Sequence, residues 1–569
     1  VTRQKGFGKR LAAGALAGFL TWCFISLAVA CTNPRFVDTI PGWLAVALAA
    51  AAAGACLALV PLPGRLFFWT WSTVSAVAAL ALGIAIAARA PDVRPKTHGR
   101  QSPLPAPVLV LGLDGATWSV LGPLIQDGRT PHIARLVSQG ASGGLTSLEP
   151  MASPRLWASI DTGVKPEKHG ISSFFSTQAD LRTWRIWEWL AVRRGAAVGL
   201  MEWYLTWPPP QAAAWSVPGL FAPDEQTKPP RLGFLKAFAR SGHVGAARPS
   251  VFRLAGLGLD AIAAGMRLST AFAAGRLFGK RLVGMTADER YVEEHLLWAR
   301  IKADVFGRLI SRSRPDWAAL FLNEADVFGH RYFAQSVQRS GGRLSAALAD
   351  AYRLADRALG VALDAYGARR PVVLIVSDHG FRLAPPGARR FKPNLDKSLR
   401  SLLRLDPERF VWTYVGSDLF LRPRSGSDSG ALAAARRTLL SLRVQERPLL
   451  QVGAIDDGSL LIRLADGLRL DGRTLVQFDG GSVPAKLLLA KTEKDSGVHD
   501  ITGVIVLSGP GVRHGISLHG ASLLDVVPTL FVLAGEPLPE GMAGRVLTEA
   551  LLPSWLARHP LRRQPPLPP

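Results

Sequence analysis

Cysteine is nearly missing from this chain: Cys23, Cys31 and Cys56 are the only three in 569 residues, and none follows residue 56. That excludes a disulfide framework or a thiolate metal site from the remainder and leaves the redox compartment open. Acidic residues are also short, 43 against 67 Lys and Arg, for a formal net charge of +24. Nucleic acid is one partner for such an excess, but there is no dense basic tract and no nucleic-acid module. Nucleic-acid binding is therefore set aside in favour of a surface suited to an anionic bilayer. Charge of either sign is missing from three apolar stretches, residues 11–30, 41–62 and 66–88. Each approaches the roughly 20 residues that cross a bilayer. The first has too long an apolar core for a cleaved signal peptide, and two more follow it. Residues 1–90 are thus expected to form a membrane anchor of three transmembrane helices. Arg3, Lys5, Lys9 and Arg10 favour a cytoplasmic N-terminus, so three crossings place the rest outside the cytoplasm, although Arg89, Arg94, Lys96 and Arg100 follow the third stretch.

Residues 91–107 read as a proline-rich linker. Beyond it the pattern changes. Residues 108–113 (VLVLGL) are a continuous apolar run suited to a strand buried on both faces, and 197–201, 317–322, 372–376 and 503–507 share that character. Helical patterns over 131–139, 290–310 and 341–366 separate several of them. The alternation predicts an α/β catalytic domain over residues 108–550, a mostly parallel sheet sandwiched by helices. Insertions are expected near 210–290 and 382–495. Residues 231–285 hold nine Lys or Arg and the single acid Asp260, which suits an amphipathic element on a membrane or a basic helical cap. Residues 551–569 are expected to be a disordered tail.

Acids and imidazoles stand at the ends of these runs. Asp114 ends the first in LGLDG, and Asp378 and His379 end another in VLIVSDHGF. Asp326 and His330 follow a third in ALFLNEADVFGH, and His499 precedes a fourth in GVHDITGVIVLSGPG. Loops at the C-terminal ends of strands in an open α/β sheet converge on one crevice, where these groups can meet. Carboxylates and neutral imidazoles suit a borderline cation such as zinc, and a pair of such ions can clamp a phosphoryl group. On spacing alone, His514 and His519 rival His499. Ser153, in EPMASPRLWASIDTGVKPEKHGI, supplies a hydroxyl ahead of Pro154, so it is expected at a helix N-terminus where a phosphoryl group is favoured. Arg155 is a candidate phosphate contact, since its fork matches phosphate oxygens. Trp184, Trp187, Trp189, Trp203 and Trp207 read most simply as packing.

The order DG, SPxxWxSxxTGxxPxxHGI, DxxGH, SDHG, GxHxxxGxxxxSGPG resembles the type I phosphodiesterase/nucleotide pyrophosphatase family of the alkaline phosphatase superfamily. The likeness covers residues 108–210, 290–381 and 495–548 and includes LLDVVPTLFVLAGEPLPEGMAGRVL. It implies an alkaline-phosphatase-like fold and two divalent metal ions, zinc or alternatively manganese. Asp114, Ser153, Asp378 and His379 would hold one ion, and Asp326, His330 and His499 the other. Ser153 would be the nucleophile, giving a phospho-enzyme. Nucleotide-cleaving members carry an Asn where this chain has Phe174, which weakens the nucleotide reading. The expected function is a metal-dependent phosphodiesterase or phosphatase, membrane-anchored and extracytoplasmic, acting on a phosphoester that a lipid can carry. The alternative is a phosphotransferase of the phosphoethanolamine-transferase type, whose members usually have a Thr nucleophile and periplasmic disulfides. A sulfatase is disfavoured because SPRLW lacks the arrangement that yields formylglycine.

Overall fold

A computed structural model describes residues 89–93 and 104–568, apart from 220, 242–250, 338–345, 385–390, 396–397, 416–417, 425–427, 456–457, 466, 469, 472 and 492–495. The three stretches expected to span a membrane lie outside the described residues. Among those described, no helix is long and apolar enough to cross a membrane. The chain divides into two compact units, Val1–Pro95 with Asp224–Arg314 and Lys96–Pro223 with Pro315–Pro569.

The second unit is built on an eight-stranded sheet. Its strands begin with β1 (Val108–Leu113), β2 (Gly140–Thr146), β3 (Val198–Trp203) and β4 (Trp215–Pro218). β5 (Trp317–Leu322) and β6 (Val372–Val376) follow, and after β6 comes the short β7 (Gly380–Leu383). Beyond the second insertion, β8 (Gly497–Asp500) pairs with β7 beside the sheet, and β9 (Thr502–Ser508) and β10 (Ile516–Ser522) complete the sheet itself. The order is β10-β2-β9-β6-β1-β5-β3-β4. Every neighbouring pair is parallel except the two that β9 makes, antiparallel to both β2 and β6.

The apolar runs form strands because both faces are covered. Val108, Val110, Ala319, Phe321, Leu374 and Val376 belong to a core shared with the helices α2 (Ser153–Thr162) and α5 (Val526–Leu533). The alternate positions Leu109, Leu111, Leu320 and Ile375 are equally buried on the other face. Helix α1 (Pro131–Ser138), begun by a proline, packs on β2 and β9, and α4 (Ala347–Tyr366) packs on α1. Helix α3 (Glu324–Val337) follows β5 directly and packs on α4. Trp187 and Trp203 are fully buried and Trp189 nearly so, within this core.

Between β7 and β8, Phe410–Val415, Asp418–Pro423, Leu450–Ala454 and Leu460–Leu464 form a separate antiparallel sheet with its own apolar core. The C-terminal residues differ from the disordered tail expected of them. Pro553–Arg558 is helical, Trp555 is buried with its indole N–H on the Val532 carbonyl (3.1 Å), and Arg563–Gln564 pairs with Leu538–Pro539. One buried tryptophan in a short polar segment supplies an anchor that proline content conceals. In the first unit, Gly233–Ser241, Val251–Ala264, Leu268–Val283 and Ala287–Ser313 are helices.

Candidate active site

The C-terminal ends of β1, β5 and β6 bring Asp114, Asp326, Asp378 and His379 to one edge of the sheet, because parallel strands put equivalent chain positions on the same side. Asp326 lies in the first turn of α3, where the helix dipole favours a carboxylate, and His330 follows one turn later on the same face. His499 comes from β8, whose register sets it opposite Phe381 of β7. Because β9 runs antiparallel to β6, its N-terminal end and the β8 residues before it reach the edge where β6 ends.

The six residues form two groups, each with potential ligand atoms within 4.8 Å of one another: Asp114, Asp378 and His379, all buried, and Asp326, His330 and His499, partly buried. In the first, His379 Nε2 is 3.4 Å from Asp114 Oδ1 and 3.7 Å from Asp378 Oδ2. In the second, Asp326 Oδ1 lies 3.4 Å from His330 Nε2 and 3.3 Å from His499 Nε2, and the two imidazole nitrogens face each other at 3.0 Å. The groups adjoin: Asp326 Oδ1 is 4.0 Å from His379 Nε2, and the His379 and His499 rings stack at 3.7 Å. His514 and His519 belong to neither group.

The donor set fits cations. Asp114 Oδ1, Asp326 Oδ1, Asp378 Oδ2 and His379 Nε2 are buried with no hydrogen-bond partner among the described residues. A buried polar atom left this way costs about 1–3 kcal/mol, more when charged. His379 Nδ1 lies 3.1 Å from the Gly380 carbonyl, and donating there turns the Nε2 lone pair toward the carboxylates. The charges conflict without a counter-ion. Burial and the Asp378 and Asp326 charges hold Asp114 well above the usual carboxylate range, and burial also raises Asp378. Burial alone would depress His379, but the charges of Asp378, Asp114 and Asp326 push it up to about 10. His499 is pushed down to about 3 by burial and then by His379. Burial acts upward on Asp326, yet His330 and His499 together carry it well below the ordinary range.

Ser153 is the first residue of α2, buried, and close enough to Asp378 to favour its charged form. Tyr204 is a second neighbour of Ser153, one the sequence does not advertise beyond an aromatic after a buried strand, and burial with the nearby Asp114, Asp378 and Asp326 charges raises its phenol. Tyr204 is held by stacking on Trp157 (6.2 Å) and edge contact with Phe321 (4.9 Å). The rest of the Ser153 motif braces α2. Asp161 accepts from the indoles of Trp203 (2.7 Å) and Trp187 (3.4 Å), and Ser159 Oγ meets His169 Nε2 at 3.0 Å.

Phe381 is a second feature missed in the sequence. Its ring stands 5.0, 5.9 and 5.3 Å from the rings of His330, His379 and His499. Three glycines make room for it: a Cβ on Gly115, Gly329 or Gly497 would lie 2.5, 3.0 or 2.9 Å from that ring. Those glycines belong to the DG, GH and GxH motifs, so each motif carries a member of the two groups and a cleft for the ring that props the histidines. Ser377 of SDHG ties the loops, donating to the His379 carbonyl (2.5 Å) and accepting from Ala116 N–H (2.8 Å).

Arg155, the candidate phosphate contact, and Phe174, which stands at the position expected to meet the substrate, both have protein neighbours. Arg155 Nη1 donates to the Pro150 carbonyl (3.4 Å), and its Nη2 lies 3.9 Å from Glu167. Phe174 packs edge-on against Phe420 (5.1 Å) and Phe221 (5.4 Å) in an apolar cluster that includes Ala152, next to Ser153.

The sequence profile of the type I phosphodiesterase/nucleotide pyrophosphatase family matches residues 108–418, more than half of the chain. Among solved structures, human ectonucleotide pyrophosphatase/phosphodiesterase 5 is similar at 13% identity and TM-score 0.42, over 78% of this chain and 98% of that one. The murine protein of the same name is similar at 14% identity and TM-score 0.39, over 78% of this chain and 100% of that one. No curated protein matches this sequence.

Proposed function

Since this chain belongs to the type I phosphodiesterase/nucleotide pyrophosphatase family, and so is a phosphoric ester hydrolase, we propose that it cleaves its ester with Ser153 as nucleophile beside two divalent cations. The observation that carries this reading is the pair of adjoining groups, with four buried polar atoms that have no hydrogen-bond partner among the described residues. Asp114, Asp378, His379 and Ser153 would hold one cation, and Asp326, His330 and His499 the other. The oxygen and nitrogen donors suit zinc first and manganese as the alternative. Bound there, the cations would lower the pKa of the serine hydroxyl and neutralise phosphoryl charge.

The chain's own residues do the rest. Asp378 and Tyr204 neighbour the Ser153 hydroxyl, and the α2 N-terminus favours the phosphoryl charge. The Ser153 oxygen bonds to phosphorus as the bond to the leaving oxygen breaks, and water then cleaves the phosphoserine and restores the hydroxyl. Phe174 offers no hydrogen bond to a phosphoryl oxygen, which turns the reading from nucleotides toward phosphoesters with apolar groups, including those carried by lipids. The uncharged stretches before residue 89 would anchor the enzyme in a membrane, with its catalytic part outside the cytoplasm.

The test is metal analysis of the full-length protein together with hydrolysis of aryl phosphate monoesters and diesters by wild type and Ser153→Ala. Wild type should hold two divalent ions and turn over at least one ester, and the variant should not turn over. A protein that binds no metal and leaves both esters intact would sink the proposal. Transfer of the phosphoryl group to an added alcohol in preference to water would make the enzyme a transferase.

A further inference from the structure

Helix Leu268–Val283 presents two unlike faces. Thr270 and Leu277 are buried, and Thr270 Oγ1 donates to Asp304 of the helix Ala287–Ser313 at 2.5 Å. On the same side Lys280 pairs with Glu293 (2.9 Å) and Arg281 pairs with Glu294. At 100° per residue the opposite face carries Phe272, Leu282 and Val283, which are 65, 74 and 91% exposed, and Phe278, 57% exposed, stands on its flank. Gly275 and Gly279 lie between them, and a methyl group added at either would meet nothing within 4 Å. Folded proteins rarely leave such a contiguous apolar face in water.

Two observations point to what covers it. The helix LSTAFAAGRLFGKRLV contains three basic residues and no acid, and residues 231–285 hold nine basic residues against Asp260. A second copy of this chain, itself +24, would meet that face with charge of the same sign, whereas anionic headgroups complement it. The second observation is attachment. Arg89 follows directly on the uncharged stretch 66–88, and it pairs with Asp260 of the helix Val251–Ala264 at 3.0 Å. Arg231 donates to the Ala90 carbonyl (3.1 Å) and Arg312 to that of Pro91 (3.5 Å). The chain leaving its apolar stretches is therefore held against the same helical unit, and a bilayer around those stretches would lie close to it.

We propose that helix Leu268–Val283 lies in the headgroup layer of an anionic bilayer, with Phe272, Phe278, Leu282 and Val283 toward the acyl chains and Arg276 at the phosphates. The proposal rests on the reading that residues before 89 anchor the chain. Its test uses the full-length protein with Cys23, Cys31 and Cys56 replaced by Ala and a spin label at Phe272→Cys, Val283→Cys or the control Arg290→Cys. Each is reconstituted in phosphatidylcholine nanodiscs with and without phosphatidylglycerol. In anionic discs, collision with a water-soluble nickel chelate should fall on the order of tenfold at 272 and 283, with oxygen collision retained, and stay unchanged at 290. Labels at 272 and 283 as accessible as that at 290, in a chain that still floats with the discs, would overturn the helix assignment and leave the anchor standing. A chain that does not float with the discs overturns both. Equal shielding in detergent would assign the face to the chain's own apolar stretches, and dipolar broadening between labels would assign it to a second copy. Either result overturns the proposal.

Discussion

Phe381 and Gly329 offer the most exacting test of how the site is held together. Gly329 lies inside α3, where replacing glycine by alanine ordinarily stabilises by about 0.8–1 kcal/mol. Here the added methyl would meet Cε1, Cε2 and Cζ of Phe381, each at 3.0 Å. Relieving three such contacts costs about 1–3 kcal/mol, so Gly329→Ala should be neutral to about 2 kcal/mol destabilising. The ring has little room to retreat, because Gly115 and Gly497 line other sides of it so closely that a Cβ on either would lie 2.5 or 2.9 Å away. Phe381→Ala should cost about 3–5 kcal/mol and weaken metal binding about 10–100-fold, since it removes the surface against which three histidines lean. In that background the obstacle is gone, and Gly329→Ala should turn stabilising by about 1 kcal/mol. The double-mutant coupling is therefore about 1–3 kcal/mol, read from denaturation midpoints of the four proteins. If Gly329→Ala has the same effect in both backgrounds, the ring does not bear on α3 and the bracing argument fails.

Ser153→Ala should lower turnover on the order of a thousandfold or more and, because Asp114, Asp378 and His379 remain, keep both metal ions as counted by mass spectrometry; turnover near that of wild type would refute Ser153 as the nucleophile. Removing divalent cations with a chelator should lower the melting temperature, and restoring them at about 100 times the dissociation constant should return about 2.7 kcal/mol; a melt indifferent to both contradicts the ligand assignment. Asp161, which burial pushes up to about 7 against Arg185 and the Trp203 bond, binds its proton more tightly folded than unfolded. Its stabilisation is therefore complete below about pH 4 and is lost as pH rises toward about 7. Asp161→Asn keeps an acceptor for the indoles and should gain up to about 4 kcal/mol over wild type at pH 8 and nothing near pH 4, measured by thermal melts. A variant penalised more at pH 8 than at pH 4 would show the carboxylate charged and favourably paired with Arg185.

The gathering of the acids and imidazoles is legible in the sequence because strand ends in a parallel sheet share an edge, so an acid after each apolar run is a positional statement. VLVLGL, WAALFL and VVLIV announce strands buried on both faces and occur as β1, β5 and β6. Less of the bracing can be read. An apolar run has no direction, so TGVIVLS does not disclose that β9 opposes its neighbours. Tyr204 comes beside Ser153 through the path of the chain after β3, and no local pattern encodes that path. Phe381 follows its ligands as one more apolar residue of VSDHGF, and its part becomes visible only where glycines from three separate motifs meet around one ring.

The reversed strand explains how His499 can stand before its strand and still serve a site made of residues that follow theirs. Were β9 parallel, its start would lie at the opposite edge, a sheet's depth from Asp326. Instead β8 pairs with β7, His499 falls opposite Phe381, and its imidazole is delivered over His379 at 3.7 Å. That stacking has an electrostatic consequence. Two rings so close cannot both carry a proton cheaply, and burial and charge separate them, His379 up to about 10 and His499 down to about 3. A neutral His499 keeps its lone pair for a cation shared with Asp326 and His330. A protonated His379 is only a substitute answer to the demand of Asp114, Asp378 and Asp326, because the proton occupies the nitrogen that the first ligand group requires. A divalent ion would meet that demand and free the nitrogen, so the three carboxylates around His379 support the proposal of a cation there.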